Sequence, residues 1–187
     1  MRIIGGEKRG LKLNELDAEV VCRPTIDRVK EAIFDIIQFE IEGDALDLFA
    51  GTGQLGIEAL SRGCEKAVFC DNNEISIKLI KANIKKAKYE GKSELLFCDY
   101  KKYLKHTAKP DSFKLIFLDP PYDTEYAVKA LELIEERQLL KKNGIVVLEC
   151  GKKEEKPQNI GNLSLKKRYF YGQVSVLIYT VPVVEGD

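Results

Sequence analysis

A chain of 187 residues with 44% hydrophobic content can bury one substantial core and is short for two, so one main domain with at most a small appendage is expected. Its 30 lysines and arginines balance its 30 aspartates and glutamates, so bulk charge points to no polyanionic partner. The five cysteines (Cys22, Cys64, Cys70, Cys98 and Cys150) form no C-x-x-C pair, and the single histidine, His106, stands apart from them and reads as a surface residue. A disulfide scaffold, a metal site and a cysteine–histidine catalytic pair are therefore unsupported. With no apolar stretch of signal-peptide or membrane-span length, a reduced, cytoplasmic protein with no membrane partner is expected.

Local charge is less even than the total. Residues 1–22 are punctuated by Gly5, Gly6 and Gly10 and carry Arg2, Lys8, Arg9 and Lys12 against Glu7 in their first twelve positions. They read as a small N-terminal β extension able to grip a nucleic acid, with residues 23–187 as the main domain. A second basic cluster, Lys166 to Arg168, lies near the C-terminus.

From residue 25 to about 150, short apolar runs alternate with amphipathic stretches, which predicts repeated βα units and a parallel sheet. Thr25 can cap a helix whose Ile26, Val29, Ile33, Ile36 and Ile37 recur at helical spacing. A strand at 45–49, a glycine-rich turn and a helix through Leu60 follow. Next come a strand Ala67–Cys70, a helix over roughly 74–90 with Ile77, Ile80, Ile84 and Ala87 inward, and a strand Glu94–Cys98. A poorly patterned stretch leads to the apolar Leu115–Leu118, a helix near 125–136, the turn Lys142-Asn143-Gly144 and a strand Ile145–Glu149. Leu163–Tyr171 and Val174–Val181, joined by Gly172-Gln173, predict an antiparallel hairpin.

Three constellations carry chemistry. The first runs Asp47-Leu48-Phe49-Ala50-Gly51-Thr52-Gly53-Gln54-Leu55-Gly56, from strand into helix, where glycines let backbone N–H groups approach a ligand closely. Gly51 to Gly56 also fits a dinucleotide turn formally, but the carboxylate of Asp47 repels a pyrophosphate and can receive the ammonium of an amino-acid cofactor such as S-adenosylmethionine. Asp71, followed by Asn72, ends the next strand and can accept the ribose hydroxyls of an adenosyl or a nicotinamide cofactor. Asp99, followed by Tyr100, ends the third and can accept from an adenine amine. The second constellation is Asp119-Pro120-Pro121-Tyr122, directly after an apolar strand and so facing the same crevice. An exocyclic amine is a poor nucleophile because its lone pair is delocalised into the ring. Acceptors at Asp119 and the Pro120 carbonyl can hold its N–H groups so that the lone pair faces a methyl donor, while Tyr122 offers a stacking face. The third is Arg23-Pro24-Thr25-Ile26-Asp27-Arg28, where Arg23 and Arg28 beside a helix start can hold RNA phosphates or organise a cofactor carboxylate.

Taken together, these residues resemble the bacterial small-subunit methyltransferase D family, which methylates a guanine exocyclic amine in 16S ribosomal RNA. The likeness covers Arg2-Ile3-Ile4-Gly5-Gly6 with Arg9-Gly10, Arg23-Pro24-Thr25 with Asp27-Arg28, Asp47 to Gly56, Glu58 to Gly63, Asp119 to Tyr122, and Arg168-Tyr169 before Gly172. It implies an α/β, Rossmann-like class I methyltransferase with a seven-stranded, mostly parallel sheet. It also implies Asp119, Pro120 and Tyr122 as catalytic residues, and S-adenosylmethionine held by Asp47, Phe49, Ala50, Gly51, Thr52, Gly53, Asp71, Asn72, Asp99, Tyr100, Arg23 and Thr25. Arg2, Lys8, Arg9, Lys12 and Arg28 are implied as contacts to 16S RNA of the small subunit, the protein acting as a monomer. One departure is Asp71, where the family usually has a glutamate. Methyl transfer to DNA amines or to a protein glutamine uses a related tetrapeptide, commonly opened by asparagine, so Asp119 favours the RNA branch by resemblance. A silent RNA-binding module and a nicotinamide oxidoreductase are the readings from other classes.

Overall fold

A computed structural model of the chain describes residues 1–15, 24–122 and 124–182. Its elements are α1 (Pro24–Ile36), β1 (Asp44–Asp47), α2 (Gln54–Arg62), β2 (Lys66–Asp71) and α3 (Glu74–Ala87). After a 3₁₀ turn at Glu90–Lys92 come β3 (Ser93–Phe97), α4 (Tyr100–His106), β4 (Phe113–Leu118), α5 (Tyr126–Glu136) and β5 (Leu140–Gly151). The chain closes with β6 (Asn159–Ile160), β7 (Leu163–Tyr171) and β8 (Val174–Thr180). They form one sheet in the order β3-β2-β1-β4-β5-β8-β7-β6, the first five parallel and the last three antiparallel. The parallel core and the β7–β8 hairpin follow the predicted pattern. The sheet has eight strands rather than seven, because the two-residue β6 adds an edge through Asn159↔Ser164 and Ile160↔Leu163.

Alternation along the strands explains why helices cover both faces. In β1, Ala45 faces a core shared with Ile33 and Phe34 of α1, Leu60 of α2 and Ile80 of α3, whereas Leu46 faces a core with Leu104 of α4 and Leu131 of α5. Phe117 and Ile116 in β4 divide the same way. Strand order reverses between β1 and β4, so their connections depart to opposite faces and leave a crevice at their carboxyl ends. Among the described residues, no helix is long and apolar enough to cross a membrane.

Several boundaries differ from expectation. α1 already contains Pro24, so Thr25 lies in its first turn instead of capping it, as the fixed φ of a leading proline allows. The stretch after Cys98 that lacks apolar periodicity forms α4, capped by Asp99, whose Oδ1 accepts from the backbone N–H groups of Lys101 and Lys102. Lys142-Asn143-Gly144 is not a turn before β5 but a bulge within it: the register jumps from Phe113↔Leu140 to Leu115↔Ile145, with Asn143 at φ 60°.

The N-terminal piece is docked as a hairpin closed by an Arg2↔Lys12 bridge, with Ile3 and Leu13 in the main core. Its anchor is Glu58 of α2, whose side chain is 0% exposed. Glu58 Oε2 accepts from Ile4 N and lies 3.6 Å from Lys30 Nζ, while Oε1 accepts from Gly5 N and Arg62 Nε. Lys30 Nζ also donates to the Arg2 carbonyl. Replacing Glu58 with leucine removes the acceptor of two backbone donors and the buried counter-charge of Lys30 and Arg62, and such a loss costs about 3–5 kcal/mol. Glu58→Leu is expected to lower the denaturation midpoint accordingly and to speed hydrogen exchange across residues 1–15 ahead of the central strands.

Candidate active site

The glycine turn after β1 is built by carboxylates. Gly53, at the start of α2, adopts φ 77°, a left-handed conformation that glycine takes without a Cβ clash. At Gly56 a Cβ would come within 2.3 Å of the Phe69 ring, so only glycine lets α2 lie this close to β2. Asp47 Oδ2 accepts from Gly56 N at 3.0 Å beneath the turn, and Asp71 Oδ2 accepts from Gly51 N at 2.8 Å beside it. The second oxygen of Asp71 accepts from Asn73 N at 2.8 Å. Ala50 N donates to Cys70 O and Gly53 N to Ala50 O, while Thr52 places its hydroxyl on Met1 Sδ and its carbonyl on Asn83.

In front of this turn lies a cavity of about 470 Å³ that brings together Phe49, Asp71, Asn72, Asp99, Tyr100, Asp119, Pro120 and Tyr122. Leu48, Cys98, Pro121 and Tyr126 complete its lining. Asp47, Ala50, Gly51, Thr52 and Gly53 form the turn behind it rather than its wall. Arg23 lies outside the described residues, and for Thr25 only the backbone position in α1 is described. Of the expected RNA contacts, Arg2, Arg9, Lys12 and Arg28 are exposed, and Lys8 is half-buried with its ammonium 5.8 Å from the Tyr89 ring centroid.

One wall of the cavity is aromatic. Phe49 and Tyr100 have ring centroids 5.0 Å apart, and Tyr126, 42% exposed, lies parallel to Phe49 at 6.4 Å. Burial and the neighbouring Asp99 push the Tyr100 hydroxyl up to about 12, and its oxygen is buried without a hydrogen-bond partner. An aromatic wall, an unpartnered hydroxyl and carboxylates at Asp71 and Asp99 suit a heteroaromatic ribonucleoside that carries positive charge; S-adenosylmethionine is such a molecule.

Asp119 brings a further acidic group to the same cavity. Burial, with Glu149 and Asp47 nearby, holds the Asp119 carboxyl well above the usual carboxylate range. Glu149, which follows Leu148 on β5, lines a neighbouring recess with Asp119 and Tyr122; burial raises it, and the Tyr122 hydroxyl, donating to its Oε1 at 2.6 Å, partly relieves it. Tyr122 keeps 41% of its surface exposed. Glu149, Glu58, Cys98 and Tyr126 were missing from the sequence-predicted site. Glu149 has a readable signal, an acid at the carboxyl end of a parallel strand next to Asp119. Glu58 has another, a charge on the otherwise apolar Leu55/Ala59 face of α2.

The family described as conserved hypothetical protein 95 matches residues 1–180 of the chain. The chain is 40% identical over 181 residues to YlbH of Bacillus subtilis, provisionally named an rRNA methyltransferase, covering 96% of this chain and 98% of that one. It is 35% identical over 182 residues to the ribosomal RNA small subunit methyltransferase D of Haemophilus influenzae, covering 96% and 93%. A solved structure of Escherichia coli YhhF, provisionally described as a methyltransferase, superposes with a TM-score of 0.84 at 30% identity over 96% of each chain.

Asp47, 2% exposed beneath the glycine turn, supplies a pH test of the acidic strand ends. Burial first, then repulsion from Asp71, lifts its carboxyl from 3.8 to about 7, against the pull of the Gly56 N–H. The folded protein therefore keeps a proton that the unfolded chain releases. Stability from this group is complete below pH 4 and declines as pH rises toward 7. Asp47→Asn, which still offers an oxygen to Gly56 N, is expected to raise Tm by several degrees at pH 8 and hardly at all at pH 4. Thermal scans of both proteins across that range measure it; equal shifts at the two pH values would refute a strained ionised Asp47.

Proposed function

Since the chain belongs to the conserved hypothetical protein 95 family, the family of the ribosomal RNA small subunit methyltransferases D, we propose that it methylates the exocyclic N2 of a guanine in 16S ribosomal RNA. S-adenosylmethionine is the methyl donor, and the protein works on the small ribosomal subunit as a cytoplasmic monomer. The observation that carries this reading is that Phe49, at the glycine turn, and the Asp119–Tyr122 corner line one cavity.

Asp71 and Asn72 would hold the ribose, Asp99 and the Phe49/Tyr100 wall the adenine, and Asp47, behind the glycine turn, would draw the ammonium of the amino-acid portion by its charge. When bound, S-adenosylmethionine supplies an electrophilic methyl on a positively charged sulfur. Asp119 and the Pro120 carbonyl accept the two N–H groups of the target amine, so its lone pair is freed from the ring and directed at the methyl. Pro121 stiffens the corner and brings no N–H of its own to compete. Tyr122 offers its exposed ring to a base turned out of the RNA. In the transfer the sulfur–methyl bond would break as the N–C bond forms, leaving a neutral thioether, and the now cationic amine would release one proton, for which the Asp119 carboxylate, with its raised proton affinity, is the acceptor at hand. Arg2, Lys8, Arg9, Lys12 and Arg28 are assigned to RNA phosphates, with Arg23 and Thr25 at the start of α1 completing the cofactor side.

Labelled methyl transfer to unmodified small subunits, naked 16S RNA, DNA and protein tests the substrate class; transfer to DNA or protein alone would refute it. Asp119→Ala is expected to reduce transfer by at least about 10³-fold while S-adenosylhomocysteine affinity, measured by calorimetry, stays within a few fold. Lys8→Ala with Arg9→Ala should weaken RNA binding and flatten its salt dependence by up to about two counterions, leaving cofactor affinity unchanged. An unaltered salt slope would assign those two residues to structure alone.

A further inference from the structure

Behind the Asp119–Tyr122 wall is a second recess, of about 190 Å³, lined by Lys30, Ile33, Gln54, Leu55, Asp119, Tyr122 and Glu149. It shares only Asp119 and Tyr122 with the larger cavity, so those two residues stand between two compartments. The larger has room for a nucleoside-sized ligand, the smaller for a single ring system. The recess is rich in acceptors. Asp119 and Glu149 follow Leu118 and Leu148, the last pair of the β4–β5 register, and both line the recess. Gln54 Oε1 is buried without a hydrogen-bond partner.

Bases differ in what their Watson–Crick edges offer to such a row. Guanine presents two adjacent donors, N1–H and the N2 amine. Adenine and cytosine each pair one amine with a bare ring nitrogen, and uracil has a single N–H between two carbonyl oxygens. Two neighbouring carboxylates match guanine, and they set a lone pair against the ring nitrogen of adenine or cytosine.

Resting on the proposed guanine-N2 reading, we infer that Glu149 is the specificity-determining residue. Its carboxylate accepts the guanine N1–H while Asp119 accepts an N2–H, and the Tyr122 hydroxyl fixes the Glu149 side chain for that contact. Burial raises both carboxyls in the free protein and the charge of Glu149 raises Asp119 further, so a ligand bringing two donors relieves them and one bringing a single donor leaves a buried acceptor uncompensated.

The test compares guanine with 2-aminopurine, which keeps the target amine but has no N1–H, placed at the mapped methylation site of the RNA. Wild type should prefer guanine by at least about 100-fold in kcat/KM, since a site built around a substrate N–H rejects the analogue lacking it. In Glu149→Ala the preference should fall below about tenfold, through loss on guanine with little change on 2-aminopurine. Glu149→Gln, near-isosteric and relieved of a buried charge, should fold and show an intermediate preference. If both substrates slow equally and the preference survives in either variant, Glu149 serves only to position Tyr122 and the assignment is overturned. A wild type that methylates no guanine amine would instead sink the guanine-N2 reading itself, a result distinguishable because it precedes any variant.

Discussion

Five parallel strands each deliver a carboxylate to the same edge of the sheet. Asp47 and Asp71 end β1 and β2, Asp99 and Asp119 stand just past β3 and β4, and Glu149 is near the end of β5. Like charges gathered at a half-buried edge repel: desolvation raises the proton affinities of Asp47, Asp119 and Glu149, and repulsion adds to it at Asp47 and Asp119. The architecture answers with fixed donors: Gly56 N to Asp47, Gly51 N and Asn73 N to Asp71, two helix N–H groups to Asp99, and a phenol to Glu149. What remains is an edge deficient in positive charge. A ligand with a sulfonium and an ammonium supplies it, and a dinucleotide pyrophosphate does not.

The acidic residues at strand ends have two readings from sequence, as turn-formers and as ligand groups, and the structure gives Asp71 and Asp99 both positions at once. Asp71 binds the glycine turn and lines the large cavity; Asp99 caps α4 and lines it too. A residue that shapes the loop next to its ligand needs no separate support, and the backbone bonds hold each carboxylate in place before anything binds.

Local pattern made much of this legible. Leu115 to Leu118 is an uninterrupted apolar run because β4 is covered on both faces, and the glycines after Asp47 and the prolines after Asp119 mark sharp changes of direction. Illegible features depend on distant partners. α4 is short, and lysines surround its buried Tyr103 and Leu104, so no period emerges. β6 is strand only because β7 lies beside it. Glu149 gains significance from Asp119 and Tyr122, thirty and twenty-seven positions away in a line but adjacent across the sheet; a strand-end acid was visible, its neighbours were not. Glu58 is likewise visible as a charge on an apolar helix face, while its partners Ile4, Gly5 and Lys30 lie far off in the chain.

Asn83, wholly buried on α3, has a simple stoichiometry. Its oxygen takes Asn14 N, and its amide nitrogen gives to the carbonyls of Asn14 and of Thr52. A single side chain thus straps Asn14 of the N-terminal piece to the glycine corner. Neither can shift by an ångström without abandoning an amide in the interior, so the N-terminal surface and the corner beneath the large cavity behave as one solid piece.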